Sequence, residues 1–268
     1  MRAVEYAVED GLVYSFCYLA LNSKLQSDSM SVRNIFGMQE SQLQSYAHPM
    51  FRLRGVSPGC RRCGAPSETP QHVVAGCIQY RATLMLERHN QVARNFFYWA
   101  CRKFEATHVH HTQEVPVESI GLDGTVIWWD RYVATPVKLR HYRPDMIIYR
   151  KWTREIFVIE VGVSWFTRLD DQYSMKYQKY AVNSTLLDTD SLPYPPGPSL
   201  ALELQKMYGC VVRVLPFVIG CGGEVTEKYR ETLNLLPGVT TKEVEDLLVR
   251  TQRSAILSTD RIIKAHLS

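Results

Sequence analysis

Nowhere in the 268 residues is there an uninterrupted apolar run of about 18, the length that a membrane-spanning helix needs. The opening segment also lacks the succession of basic, apolar and small residues that marks a secretory signal, so the expected setting is intracellular and without a membrane. Excess charge of one sign is equally scarce: the net charge is +4, which by itself says little about partners. With 46% hydrophobic and 22% charged residues, the chain has neither the polarity nor the charge imbalance of a disordered polypeptide, and it can build a sizeable core. No internal repeat is visible. Seven cysteines is an odd number, and in a reducing compartment clustered cysteines read as metal ligands rather than disulfides.

Charge is nonetheless concentrated locally. Between Arg131 and Arg154 stand Arg131, Lys138, Arg140, Arg143, Arg150, Lys151 and Arg154 against one acid, Asp145. Such a segment offers a bed for a phosphate backbone, and Arg140, Arg143, Arg150 and Lys151 are the candidate nucleic-acid contacts.

The patterning predicts a helix over Ala3 to about Leu25, a second over Arg81 to Glu105 with apolar Val92, Phe96, Ala100 and Phe104 at helical spacing, and strands at Thr125–Trp129, Met146–Tyr149 and Ile156–Val161. Helical spacing returns from Arg168 to about Leu187. The proline-rich run from Pro193 to Pro198 then forces a break before a helix at Ser199–Tyr208 and a buried strand at Val211–Ile219. A last helix starts with Thr240 or Thr241 as N-cap. Strands separated by helices imply an α/β (α+β) fold with a mixed sheet flanked by helices, preceded by a small cysteine-rich element. The expected divisions are a helical linker region at 1–57, the cysteine element at 58–80, a connecting helix at 81–112, the main domain at 113–237 and a C-terminal helix at 238–268.

Cys60, Cys63, His72 and Cys77 follow C-x2-C-x8-H-x4-C, four donors of the kind that close a zinc tetrahedron, with Gly59, Gly64, Pro66, Pro70 and Gly76 supplying turns. A stretch this short has no core of its own, so its folding free energy would come from Zn²⁺, and because all four positions are protein ligands the site is structural rather than catalytic. Cys17, Cys101, Cys210 and Cys221 sit among apolar residues as small core side chains, and His108, His110 and His111 lack a partner cluster.

Asp145 follows Pro144 at the head of one strand, and Glu160 stands inside another after fourteen intervening residues. On adjacent strands the two carboxylates can share Mg²⁺, a hard ion that takes oxygen ligands, polarises a phosphate and helps generate hydroxide. Two residues after the glutamate, where a lysine usually completes such a site, stands Gly162; Lys176 or Lys179 on the following helix is the candidate replacement, flanked by Tyr177 and Tyr180 as candidate phosphate or base contacts. The bland alternative makes Asp145 a turn residue and pairs Glu160 with Arg154 or Arg168. Against it, a carboxylate set among Ile156, Phe157, Val158, Ile159 and Val161 is costly to bury without a cation.

The string Cys60-Arg61-Arg62-Cys63-Gly64, then Glu68-Thr69, His72-Val73 and Cys77, followed by Arg88-His89-Asn90, resembles the C-terminal region of site-specific non-long-terminal-repeat (non-LTR) retrotransposon proteins. That region carries a Cys-Cys-His-Cys zinc knuckle followed by a restriction-enzyme-like endonuclease of the P-D-(D/E)-x-K type. The resemblance spans about residues 45–236 and implies a DNA endonuclease in the nucleus: Asp145 and Glu160 as metal-binding acids, Lys176 or Lys179 as the displaced catalytic lysine, a DNA target, element RNA, and a reverse transcriptase domain as partner. Arg88, His89 and Asn90 open the helix after the knuckle; capping and packing suffice to explain them. No Tyr-x-Asp-Asp polymerase signature occurs, so the chain reads as a terminal fragment, a degraded copy or a separate open reading frame. The other reading is a catalytically dead, zinc-dependent nucleic-acid-binding remnant of the same kind of element.

Overall fold

The computed structural model describes residues 12–13, 29–106, 114–181 and 198–268. Leu12–Val13 form strand β1, so the one described part of the segment expected as helix over Ala3–Leu25 is strand instead. Local helical spacing there yields to pairing with a partner more than two hundred positions away, Val225–Thr226. Helices α1 (Ser29–Gln39) and α2 (Pro49–Leu53) follow, then a π-helical turn at His72–Gly76 and the short α3 (Ile78–Arg81). Next comes α4 (Leu84–Lys103), whose Val92, Ala93, Phe96, Phe97 and Ala100 are buried, as helical spacing requires of a core-facing stripe.

Strands β2 (Glu118–Ile120), β3 (Val126–Trp129), β4 (Met146–Arg150) and β5 (Glu155–Ser164) form an antiparallel meander, and β6 (Val211–Gly220) adds in parallel beside β5. Between β5 and β6 lie α5 (Leu169–Tyr180) and α6 (Leu200–Tyr208); beyond β6 come β7 (Val225–Thr226), α7 (Glu227–Asn234) and α8 (Thr241–Leu267). The protein is thus α/β with a five-stranded mixed sheet flanked by helices.

β5 reads Glu-Ile-Phe-Val-Ile-Glu-Val-Gly-Val-Ser and is apolar on both faces because helices cover both. Phe157, Ile159 and Val161 join Phe96, Phe97, Phe217, Tyr229 and Leu248 on the side of α4, α7 and α8; Ile156 and Val158 join Tyr180, Leu200 and Leu204 on the side of α5 and α6. Pro216 has no amide to donate, and β6 accommodates it as the sheet's last strand. Ser199 caps α6 by accepting from the Leu202 amide, and Gly209 ends it with φ 60°. Thr240 and Glu243 form a reciprocal capping box at the start of α8. No described helix is long and apolar enough to cross a membrane. His108, His110, His111, Cys17, Pro193 and the end of the helix expected to reach Leu187 lie outside the described residues.

Candidate active site

The register of β4 against β5 pairs Met146 with Ile159, and one further step sets Asp145 opposite Glu160. The two acids separated in sequence therefore meet at one end of the sheet. Asp145 is held there by its own backbone and side chain: its carbonyl accepts from the Asp130 amide at 2.9 Å, and its Oδ2 accepts from the Val161 amide at 2.6 Å. Glu160 is only 2% exposed. Its Oε1 accepts from Lys176 Nζ at 2.9 Å and from Lys179 Nζ at 2.8 Å, while the buried Oε2 has no hydrogen-bond partner among the described residues. Neither Arg154 nor Arg168 pairs with it; Arg168 pairs with Asp171.

Why two lysines reach this carboxylate follows from Gly162. A Cβ built there would lie 2.7 Å from Cε and 3.2 Å from Cδ of Lys176, so the lysine stem from α5 fills the volume that a side chain at 162 would occupy. Lys179, one helical turn on, arrives from the same face.

His89 enters from the start of α4. Its Nε2 lies 3.2 Å from Asp145 Oδ2 and 3.1 Å from the Val161 carbonyl oxygen, and its Nδ1 lies 3.2 Å from Asn90 Oδ1. Burial opposes ionisation of Asp145, but the hydrogen bond and charge of His89, the charge of Lys176 and the Val161 amide outweigh it and lower its pKa. Burial likewise disfavours the charged form of His89, yet the Asp145 hydrogen bond and charge raise its pKa. Sequence reasoning left His89 as a helix-opening residue; nothing in local spacing reveals that α4 aims it at the end of β5.

Tyr180 is a correction. It is fully buried, donates its hydroxyl to the Arg143 carbonyl at 2.8 Å, and has its phenol pKa raised by burial and by the charges of Glu160 and Asp145, so it is a packing residue and not a phosphate contact. The positive bed is also less concentrated than its composition implies. Carboxylates from outside the Arg131–Arg154 segment neutralise three of its arginines: Glu118 pairs with Arg131, Asp130 with Arg143 and Glu155 with Arg150. Arg150 ends β4 and Lys151 follows it, roughly 16 Å of strand away from Asp145 at about 3.3 Å per residue. Arg140 and Arg143 are exposed on the loop that leads into Asp145.

The second centre is the cysteine element. Cys60 and Cys77 Sγ lie 3.9 Å apart, Cys63 Sγ lies 3.3 Å from His72 Nε2, and all four ligand atoms fall within 4.8 Å of one another. Tetrahedral zinc–sulfur bonds place sulfurs roughly 3.8 Å apart, so the donors fit zinc. Burial, with Cys63 and Cys60 beside it, pushes the Cys77 thiol up to about 12, a value that a central cation would reverse. His266, 206 residues from Cys60, lies 3.9 Å from its sulfur and 3.0 Å from Glu68. Cys60, Glu68 and His266 also close within 4.8 Å, whereas Asp145, Glu160 and His89 together do not form such a group. Burial works against the Glu68 charge, but the Arg61 side chain and amide, the Tyr46 amide and His266 hold its carboxyl at about 2. Cys101, Cys210 and Cys221 are buried core residues.

No protein-family model matches the chain, and no curated protein does. Among solved structures it is similar to an N-terminal domain of a reptarenavirus L protein, 15% identical, covering 84% of this chain and 94% of that chain, with a TM-score of 0.28. At that TM-score the likeness carries no argument, and the functional reading rests on the site.

Proposed function

We propose that this chain is a divalent-metal-dependent DNA endonuclease of the PD-(D/E)XK type, from the C-terminal region of a site-specific non-LTR retrotransposon protein. One observation carries the reading: Asp145 and Glu160 face each other across β4 and β5, and Lys176 fills the space left by Gly162. The orphaned Glu160 Oε2, the Asp145 carboxylate and the Val161 carbonyl are oxygen donors, the kind that suits Mg²⁺. When bound, such an ion polarises the scissile phosphate and lowers the pKa of attacking water. Asp145 and Glu160 hold it. Lys176 orients the nucleophile and offsets charge developing on the phosphate, and Lys179 aligns Glu160. Arg140 and Arg143, on the loop entering Asp145, bind the flanking backbone.

In this proposal the partners are DNA, element RNA and the element's reverse transcriptase domain, the setting is the nucleus, and the products carry 3′ hydroxyl and 5′ phosphate ends. Zinc folds the cysteine element. The test is nicking of supercoiled plasmid with Mg²⁺ by the wild type, Asp145→Ala and Glu160→Ala. Both variants are expected to lose cleavage. Equal nicking by all three rejects the assignment, and salt-sensitive binding by a wild type that never cuts identifies a binding remnant instead.

A further inference from the structure

Two basic residues of the Arg131–Arg154 segment play no part in the nuclease reading. Lys151 and Arg154 are the first and last residues of the turn Lys151-Trp152-Thr153-Arg154, which is closed by the last pair between β4 and β5, Arg150 with Glu155. This tip lies at the end of the sheet away from Asp145. Between the two cations stands Trp152, 85% exposed. The adjoining β2–β3 turn adds Leu122, 84% exposed, so the apolar surface is a patch shared by two turns. Their contact is close: a Cβ built at Gly124 would stand 3.6 Å from Trp152 Nε1.

The tip is braced from within and from its neighbour. The Arg154 amide donates to the Lys151 carbonyl at 3.3 Å, and the Arg154 carbonyl accepts from the Val211 amide at the start of β6 at 2.8 Å. The indole is therefore presented on a fixed support. The nearby acids are already engaged: Glu155 pairs with Arg150 and Arg213, and Asp123 accepts from the Thr125 amide and hydroxyl. Among the described residues no ion pair holds Lys151 or Arg154, so both charges face solvent beside the ring.

An exposed aromatic face between two unpaired cations has the chemistry of a base-and-phosphate site. A duplex hides the faces of its bases in the stack, whereas a single strand offers them. We propose that the β4–β5 tip binds single-stranded nucleic acid, with an unpaired base stacked on Trp152 and the flanking phosphates against Lys151 and Arg154. This site is separate from the proposed nuclease centre and does not depend on cleavage.

The experiment uses the full chain with its zinc retained and Mg²⁺ omitted, so that nothing is cut. The probes are fluorescently labelled (dT)15 and (rU)15, a 15-base-pair duplex, and vesicles of one part phosphatidylserine to four parts phosphatidylcholine. Trp152→Ala is expected to weaken single-strand binding roughly tenfold or more and duplex binding less than about twofold. Trp152→Phe keeps a stacking face and should restore most of the affinity, while losing the quenching of indole emission that accompanies binding in the wild type. Lys151→Gln and Arg154→Asn, the latter chosen because asparagine tolerates the φ of 54° at that position, should each reduce the salt slope of single-strand binding by about 0.7. Tighter binding of (dT)15 or of (rU)15 supports the site and identifies DNA or RNA as its source. Unchanged single-strand affinity in Trp152→Ala overturns the proposal, as does an equal loss on the duplex. Vesicle binding that depends on Trp152, without single-strand binding, overturns it in favour of a membrane contact. Plasmid nicking tests the nuclease reading separately, so either can fail alone.

Discussion

At the scale of single residues, the position of the lysine is the most informative feature. In the P-D-(D/E)-x-K arrangement the amine comes from the strand itself, two residues past the acid; here glycine at 162 vacates that volume and α5 refills it with Lys176. Lys176→Ala is expected to lower nicking by roughly 10² to 10³, the size of effect seen when one donor to a developing charge is removed. Adding Gly162→Lys to Lys176→Ala should restore part of the rate, because the new amine enters the same space from the strand. Plasmid nicking rates check both, and failure of the double variant to recover would mean that the two positions do not serve one point. Losing Lys176 and Lys179 together leaves Glu160 buried without compensation and should cost about 3 to 5 kcal/mol in urea unfolding.

At the scale of elements, the cysteine-rich segment is built into the rest of the molecule. Tyr80 donates to the Ala265 carbonyl at 2.8 Å, Arg62 Nε donates to the His266 carbonyl at 3.0 Å, and Ile262 packs beside Cys60 and Cys77. Val73 and Val74 pack with Trp165, Cys221 and Ile263. Removing zinc should therefore lower the melting temperature of the whole protein in one cooperative transition, read by circular dichroism with and without chelator. A separate early transition confined to a small fraction of the signal would show an autonomous knuckle. The cap of α8 is independent of metal: Thr240→Ala breaks the capping box and should cost about 1 kcal/mol.

The elements also show how far local pattern reaches. β4, β5, β6, α4, α6 and α8 all lie where periodicity places them, since each is long or strongly apolar along a stripe or on both faces. The short α1, β2, β7 and α7 left no such mark. Their apolar residues are few and their partners distant, as in the β1–β7 pair. In the site, the two acids and the two lysines were legible as residue types in order. His89 was not, because its role depends on the angle at which α4 crosses the sheet end.

For the whole molecule, stability should depend on pH through Glu224, which is 3% exposed and directly follows the Gly220–Gly223 turn at the end of β6. Burial raises its pKa to about 7 from 4.5, against the opposing pull of the Glu224 and Gly222 amides. A carboxyl with a raised pKa holds its proton longer folded than unfolded. Its contribution is complete below the unfolded value and is lost as pH rises through about 7, a change of about 3 kcal/mol. Urea midpoints at about pH 5 and pH 8 should differ accordingly, and Glu224→Gln should flatten the difference.

What could be read without coordinates was chemistry and local form: donors spaced for zinc, acids and amines in nuclease order, and apolar stripes with periods of strand or helix. These depend on neighbours along the chain, and a one-dimensional record contains them. Which lysine fills the gap at Gly162, which arginines pair with carboxylates, and the meeting of His89 with Asp145 depend on elements far apart in sequence. Those contacts came only with the packing of α4 and α5 against opposite faces of one sheet.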